Sequence, residues 1–425
     1  MRQVLPLICH HAFSLGIGIL GIKLVSSWVP PQLYIQYTLF LTLTTVGSLL
    51  THSGLTNHLI RYWQREAGQR RAYAGFIWHQ GWWLSLPLAG LLLGICVLRF
   101  SWDGLAQWLW VFPLLWLGNL GYTAWMMAGT ALNAQERNWW FCLLGSLCNA
   151  GRSLLPVGMV WVGGATLMAL CGGFTLYALL ALAITGVLYA GLGFKQAPAV
   201  EKRQVWRKEL QEFGRPFIWI GIGGWLVQYA DRWIVDFFFS GHQAGLYSLA
   251  VNMASFVPAM AGSVLLQWIF PRFFRQADQA RNGDDWRVLA RRCDRIAFAF
   301  MGISVAGLGV LWAMGPYLVP WLIDSQYLEA MPLLFSAGLA MAVVPMNQFH
   351  YLLLQCQHDS LNIAKTMLIV AAFKLIGTVV AAWFSWSVFL MWLVASFFAC
   401  AFLGRFLVWR LALRGGCAVT DRVKD

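Results

Sequence analysis

Charge is scarce in this sequence. Acidic side chains number 17 in 425 residues, and all charged residues together make up 11%, against about 25% in a soluble domain. So few charges cannot clothe a water-exposed surface, and a soluble multidomain protein is excluded. Other absences narrow the field further. No glycine-rich loop of the Walker type is present; the glycines between Gly221 and Gly224 sit inside an apolar run, where they serve helix packing. The sequence thus gives no sign of direct ATP use, and an ion gradient or consumption of product downstream is the expected energy source. The nine cysteines are scattered through apolar runs with no metal-ligand or disulfide spacing, and read as small apolar filler. His10, His11, His79 and His350 form no cluster and read as packing or hydrogen-bonding residues. No metal or cofactor is expected. The first apolar run lacks a small-residue cleavage site after it, so it reads as a membrane span and not a removable signal peptide. The alternating pattern of barrel strands is also missing.

What the sequence has is apolar length. Hydrophobic residues make up 59%, gathered in runs of about 20 residues or more, enough to cross a hydrocarbon layer of about 30 Å as a helix. Lipid offers no hydrogen bonds, so each run must satisfy its own backbone. Spans are predicted at 6–28, 32–57, 74–98, 107–132, 139–163, 166–193, 216–239, 243–268, 295–317, 328–354, 363–384 and 387–411. The fold class is thus an all-α membrane protein of about twelve transmembrane helices.

The formal net charge of +13 does not point to nucleic acid, because its distribution is that of loops. Arg61, Arg65, Arg70 and Arg71 follow the second span, Arg137 the fourth, and Lys195, Lys202, Arg203, Arg207, Lys208 and Arg215 the sixth. Seven arginines from Arg272 to Arg295 follow the eighth span, and Arg410, Arg414, Arg422 and Lys424 close the chain. The intervening loops are almost bare, Arg99 excepted. The basic side is cytoplasmic by the positive-inside rule, and an even span count puts both termini there. The loop 194–215 reads as a connector between two halves, 1–205 and 206–425. An amphipathic surface helix and a solvated linker both fit it. Its basic residues are expected to meet anionic lipid headgroups.

The halves show a sparse internal repeat. Leu33-Tyr34 matches Leu246-Tyr247 at one offset, and Gln135, Arg152 and Trp161 match Gln357, Lys374 and Trp383 at a slightly larger one. The form is a parallel duplication of a six-span unit. It pairs Arg152, midway along the fifth span, with Lys374, midway along the eleventh.

Charge within a span is costly, about 3 kcal/mol on insertion scales, and usually faces a bundle interior or a watery cavity. The candidates are Lys23, Arg152, Asp231, Arg232, Asp236, Lys374 and Arg405. Lys23 and Arg405 lie near span ends, where snorkelling to the headgroups competes with a role inside. Arg232 and Asp236 are four apart and share a helix face; mutual pairing and ligand contact both stay open. Asp231 points elsewhere and calls for a cation from a neighbouring helix. Arg152 and Lys374 are too deep to snorkel and have no acid one turn away. The first half has no acid within any span, so cations there favour an anionic ligand, arginine as a fork for phosphate oxygens and lysine as a point charge. The 25 tryptophans suit interfacial belts, with Trp82, Trp83, Trp139 and Trp140 near predicted span ends.

From Tyr229 the sequence runs YADRWIVDFFFSGHQAGLYSLA. This stretch resembles the polysaccharide flippase branch of the MOP (multidrug/oligosaccharidyl-lipid/polysaccharide) superfamily. In that pattern one span carries Asp-Arg, here Asp231 and Arg232, and after a short turn the next opens Gly-x-Tyr-Ser-x-Ala, here Gly245, Tyr247, Ser248 and Ala250. The second span, YIQYTLFLTLTTVGSLLTHSGLTNHLIRYWQRE, is similar to the family too, as are the length, span number and duplication. The resemblance implies two pseudo-symmetric six-helix lobes around a central cleft. It implies a Wzx-type flippase, and not an enzyme, moving undecaprenyl-pyrophosphate-linked oligosaccharide across the bacterial inner membrane by alternating access. Cleft cations would bind the pyrophosphate and sugar: Lys23, Arg61, Arg152, Arg232 and Lys374, with Asp231 and Asp236 as charge partners or coupling residues. The implied partners are that lipid-linked sugar, membrane lipids and other polysaccharide-assembly membrane proteins, acting on a monomer. Two rivals remain. A cation antiporter of the MATE type needs a membrane-buried acid, usually in the first lobe. A membrane glycan ligase, polymerase or acyltransferase needs a catalytic set, and the outward loop near 317–327 holds Asp324 alone.

Overall fold

The computed structural model describes residues 5–63, 65–66, 68–99, 102–135, 137–191, 200–279, 283–357 and 359–422. Among them every regular element is helical. Twelve are long: α1 (Leu5–Trp28), α2 (Pro31–Tyr62), α3 (Arg70–Arg99), α4 (Trp102–Ala134), α5 (Asn138–Gly163), α6 (Leu167–Gly191), α8 (Arg215–Phe238), α9 (Gly241–Gln279), α10 (Gly283–Leu322), α11 (Leu334–Cys356), α12 (Ser360–Phe384) and α13 (Trp386–Arg422). The thirteenth, α7 (Val200–Glu209), is short and joins α8 through a π-helical turn, Leu210–Gly214. The shortest long helix has 23 residues, about 34 Å at 1.5 Å per residue, enough to cross the hydrocarbon layer. Six stretches among the described residues, 31–59, 167–188, 284–322, 325–356, 360–384 and 386–412, are continuous and apolar enough to cross a bilayer on their own. The chain is a multi-pass membrane protein with the all-helical fold expected of it.

Local chemistry explains why even the more polar runs stay helical. In α2 the hydroxyls of Thr38, Thr42, Thr44, Thr45, Ser48, Thr51, Ser53 and Thr56 all donate to carbonyls three or four residues back, so they do not need water. Pro31 opens α2 at its first position, where no intrahelical donor is needed. Gly164, with φ of 80°, follows the end of α5, a backbone state open to residues without a Cβ. The carboxylate of Asp359 accepts from the Asn362 N–H at 3.1 Å and starts α12.

The chain forms two compact units, Met1–Gly221 and Ile222–Asp425. In the first, α2 packs on α4, α4 on α6, α5 on α6 and α1 on α5. In the second, α9 packs on α11, α11 on α13 and α12 on α13. The pairing scheme of α2, α4, α5 and α6 thus recurs in α9, α11, α12 and α13, as a duplicated six-helix unit requires. Small residues set the closest approaches: a Cβ placed on Gly121 of α4 would lie 2.0 Å from the Ala178 carbonyl oxygen of α6.

The described part of the connector is a helix with one buried apolar side and exposed charges. Residues 192–199 lie outside the described residues. From Val200 onward it is a helix docked on its own unit. Trp206 is buried in a cluster with Leu55, Leu59 and Trp63 of α2, Tyr73, Phe76 and Ile77 of α3, and Met127 and Ala131 of α4. Arg65 donates two hydrogen bonds to Glu209, at 2.8 and 2.6 Å, and one to Glu66 at 3.0 Å. Lys202 reaches the other Glu66 oxygen at 3.4 Å.

Candidate functional site

In the first unit α1 and α5 meet along a polar seam. On α5, Ser146, Asn149 and Arg152 recur every three residues and so share a face. Ser146 pairs with His10 of α1 at 2.9 Å, and the Asn149 amide donates to Ser14 of α1 at 2.9 Å. Further along, Gly21 of α1 touches Ser153 of α5, a Cβ there lying 3.0 Å from that of Ser153. This contact brings together the turns that carry Lys23, half-buried, and Arg152, also half-buried. The Arg152 guanidinium lies over the ring of Tyr122 of α4, 5.7 Å from its centre. Its charge also reaches Tyr37 of α2 and Tyr177 of α6. The arginine thus has one tyrosine ring against it and two more tyrosines within electrostatic range. Helices α1, α2, α3, α5 and α6 contain no Asp or Glu, and the only one in α4, Asp103, is its second residue.

Arg61 stands on α2, but its side chain lies outside the described residues.

The second unit handles its charges differently. Asp231 and Arg232 of α8 are both buried. The Asp231 carboxylate accepts from the Tyr247 hydroxyl of α9 at 2.6 Å and from the Arg232 N–H at 2.9 Å. Arg232 donates to the Asn252 side-chain oxygen of α9 at 3.0 Å and lies over Tyr229, 5.2 Å from the ring centre. Asp236 is half-buried one turn along α8. Lys374 of α12 is 2% exposed. Its ammonium donates to the Val227 carbonyl of α8 and, at 3.2 Å, to the Ala340 carbonyl of α11. Pro345 has no N–H for the Met341 carbonyl, which loosens α11 beside Ala340. Asp231 is the nearby opposite charge, the neighbouring-helix partner that its position called for. The two repeat-related cations thus hold the same register, each fourteen residues beyond the first residue of its helix, in different surroundings: Arg152 partly open among tyrosines, Lys374 enclosed and engaged by backbone.

Sequence reasoning missed Ser14, Ser146, Asn149 and Tyr122, although the three-residue spacing on α5 was readable. It also missed Asp294 of α10, which is buried against Arg405 of α13 at 2.8 Å; the predicted ninth span began one residue too late to include it. Among the described residues no set of His, Cys, Asp or Glu could hold a metal ion. A half-open apolar pocket between α3 and α4, lined by Trp78, Gly81, Trp82, Leu120, Thr123, Ala124 and Met127, contains none of the predicted residues.

Known proteins place this arrangement. The lipid II flippase MurJ, in an inward closed conformation, superposes with a TM-score of 0.68 at 10% identity, over 96% of this chain and 86% of that one. A MATE transporter from Vibrio cholerae gives 0.62 at 12% identity, over 97% and 96%. A MOP superfamily transporter from Pyrococcus furiosus gives 0.62 at 13%, over 97% and 96%. The chain has the MOP fold. The sequence profile of a polysaccharide biosynthesis protein family matches residues 152–332. That stretch begins at Arg152 and includes Asp231, Arg232 and Tyr247, so the MOP resemblance read from those residues is borne out. No curated protein matches the chain in sequence.

Proposed function

We propose that this protein is a flippase carrying undecaprenyl-pyrophosphate-linked oligosaccharide across the bacterial inner membrane by alternating access. Arg152 and Lys23 supply the cations for the pyrophosphate in this reading. The observation that carries this reading is Arg152 itself: a partly open guanidinium over the Tyr122 ring, in six helices with a single terminal acid. A guanidinium fork binds two phosphate oxygens at once. The same lack of acid speaks against an organic-cation substrate. The polysaccharide-biosynthesis match over residues 152–332 supports a glycan cargo. Arg61 on α2 is a further cation of this proposal. Arg232 and Lys374 act on the second unit's internal geometry, with Asp231 and Asp236 as their charge partners. Both termini and the basic loops face the cytoplasm, and the monomer is the working unit.

The test is translocation in proteoliposomes. A fluorescent undecaprenyl-pyrophosphate oligosaccharide, loaded in both leaflets, should become wholly accessible to a membrane-impermeant quencher only when the protein is present. Efflux of organic cations with no movement of the lipid-linked sugar would overturn the proposal in favour of an antiporter.

A further inference from the structure

One buried group takes no part in the reading above. Asp294 of α10 is 6% exposed, and three side chains from two other helices surround its carboxylate. Arg405 of α13 donates through Nε to Oδ2 at 2.8 Å. Trp409, one turn on, donates its indole N–H to Oδ1 at 3.2 Å. His350 of α11 places Nδ1 3.6 Å from the same Oδ1, just beyond a hydrogen bond. The other ring nitrogen of His350, Nε2, is buried with no hydrogen-bond partner among the described residues. His350 is itself 2% exposed. Buried polar atoms are almost always paired, so an imidazole orphaned on one side and just out of reach of a carboxylate on the other calls for an explanation.

Charge balance supplies one. A single buried carboxylate neutralises one cation. In the observed arrangement that cation is Arg405, whose side chain is 40% exposed and lies over Phe298 and Trp409, 5.8 and 5.4 Å from their ring centres. Arg405 can leave the carboxylate for water or headgroups with its charge still solvated. His350 cannot leave. Once Arg405 withdraws, the carboxylate is left needing a buried cation, and a proton on His350 makes one.

We propose that Asp294 and His350 form a proton-binding site whose occupancy exchanges with the Asp294–Arg405 ion pair. A proton enters on Nδ1 of His350, the imidazolium closes on Oδ1 in competition with the Trp409 indole, and the guanidinium is released. No other bond changes. The charged groups in electrostatic contact with His350 are Asp294 from α10 and Arg405 from α13. Cys293 of α10 is in electrostatic contact with the carboxylate and with Cys356 of α11. Arg291 and Arg295 are exposed on α10 itself. Among the described residues α9 and α12 set no charged group against the imidazole. The exchange ties α10, α11 and α13 to proton occupancy through a carboxylate with two competing partners.

The experiment reads the proton directly and needs no substrate. Full-length protein with ring-labelled histidine, in nanodiscs, is titrated by nitrogen NMR between about pH 5 and pH 8, with the His350 signal assigned by its loss in His350→Gln. In Arg405→Gln the titration midpoint of that signal should rise above wild type by about one pH unit or more, a tenfold gain in proton affinity. Adding Asp294→Asn to Arg405→Gln should cancel the rise. Size-exclusion profiles and the remaining histidine signals report whether each variant is folded. Coincident midpoints in wild type and Arg405→Gln, or a rise that survives Asp294→Asn, would overturn the proposal.

Discussion

Arg152 and Lys374 share a register but should fail in different ways when replaced by alanine. Arg152 is half-exposed, and its contact with the Tyr122 ring is worth about 0.5–1 kcal/mol. Its removal should leave the fold nearly intact. Its loss to a pyrophosphate ligand is larger. Two charge-assisted hydrogen bonds at about 1.5–3 kcal/mol each come to at least a hundredfold in affinity. Lys374 is enclosed, bonded to the Val227 and Ala340 carbonyls and set against Asp231. Alanine there removes a long enclosed side chain and leaves a cavity, a cost of about 2–5 kcal/mol, set against a total stability on the order of 5–15 kcal/mol. Lys374→Ala should therefore lose most of its folded, monodisperse yield, while Arg152→Ala purifies like wild type and loses polysaccharide export. Arg152→Lys should fall between, keeping the charge without the fork. Yield, thermal unfolding in detergent and export in cells separate the cases. A stable Lys374→Ala, or an Arg152→Ala that exports normally, would refute the assignment of one cation to structure and the other to ligand.

Two more predictions concern the docked connector. Trp206, 1% exposed in its cluster, should dominate that docking: Trp206→Ala costs about 3–5 kcal/mol. Breaking the Arg65–Glu209 pair, whose side chains are 45% and 23% exposed, costs about 0.2–1 kcal/mol. Hydrogen exchange across 200–214 should thus speed up about a hundredfold in Trp206→Ala and only slightly in Arg65→Gln; equal effects would contradict this ranking. The second prediction is a pH dependence. Burial pushes the Glu66 carboxyl up, but hydrogen bonds from Arg65 and Trp206 and the charge of Lys202 outweigh it and hold Glu66 below its ordinary value of 4.5. A depressed carboxylate stabilises fully above that ordinary value and loses its contribution as the pH falls below it. Protection of α7 against exchange should therefore weaken in acid below about pH 4.5 in wild type, and this pH dependence should flatten in Glu66→Gln.

Much of this was legible in the chain, for reasons that separate cleanly. Span number and helical class follow from apolar length, because lipid leaves the backbone no other way to satisfy itself; local composition suffices. The importance of Arg152, Asp231, Arg232 and Lys374 was legible because buried charge is rare at any depth. Their partners were not. Lys374 meets backbone carbonyls of α8 and α11, and main-chain oxygens leave no mark in a sequence. Tyr122 and Asn149 looked like ordinary span residues until packing set them beside Arg152 and Ser14. The docking of α7 was hidden for a similar reason: one tryptophan among charges reads as interfacial, and only the cluster around Leu59 and Tyr73 turns it into a core residue. Asp294 was lost at a boundary, where span edges carry an error of a few residues.

Duplication explains why both mid-helix cations exist, and burial explains why they need not do the same work. Two copies of a six-helix unit begin with the same register, so a position that faces inward in one faces inward in the other. A cation there imposes a demand that each copy must answer separately, because the energy of a buried charge depends on what lies within a few ångströms of it. The second unit meets the demand internally, with carbonyls and the carboxylate of Asp231, and the charge becomes part of the packing. The first unit has no internal carboxylate for Arg152 in α1, α2, α3, α5 or α6 and gives it tyrosines and partial exposure instead. A half-exposed arginine of this kind favours an arriving anion, because its planar guanidinium offers two donors to two phosphate oxygens at once. An acid introduced beside it should therefore abolish function without harming the fold. Asn149→Asp, one turn away on the same face of α5, puts a carboxylate within reach of the guanidinium. It should raise thermal stability slightly and stop polysaccharide export, whereas Asn149→Ser should leave export largely intact. Normal export by Asn149→Asp would mean that the charge of Arg152 is not what recognises the cargo.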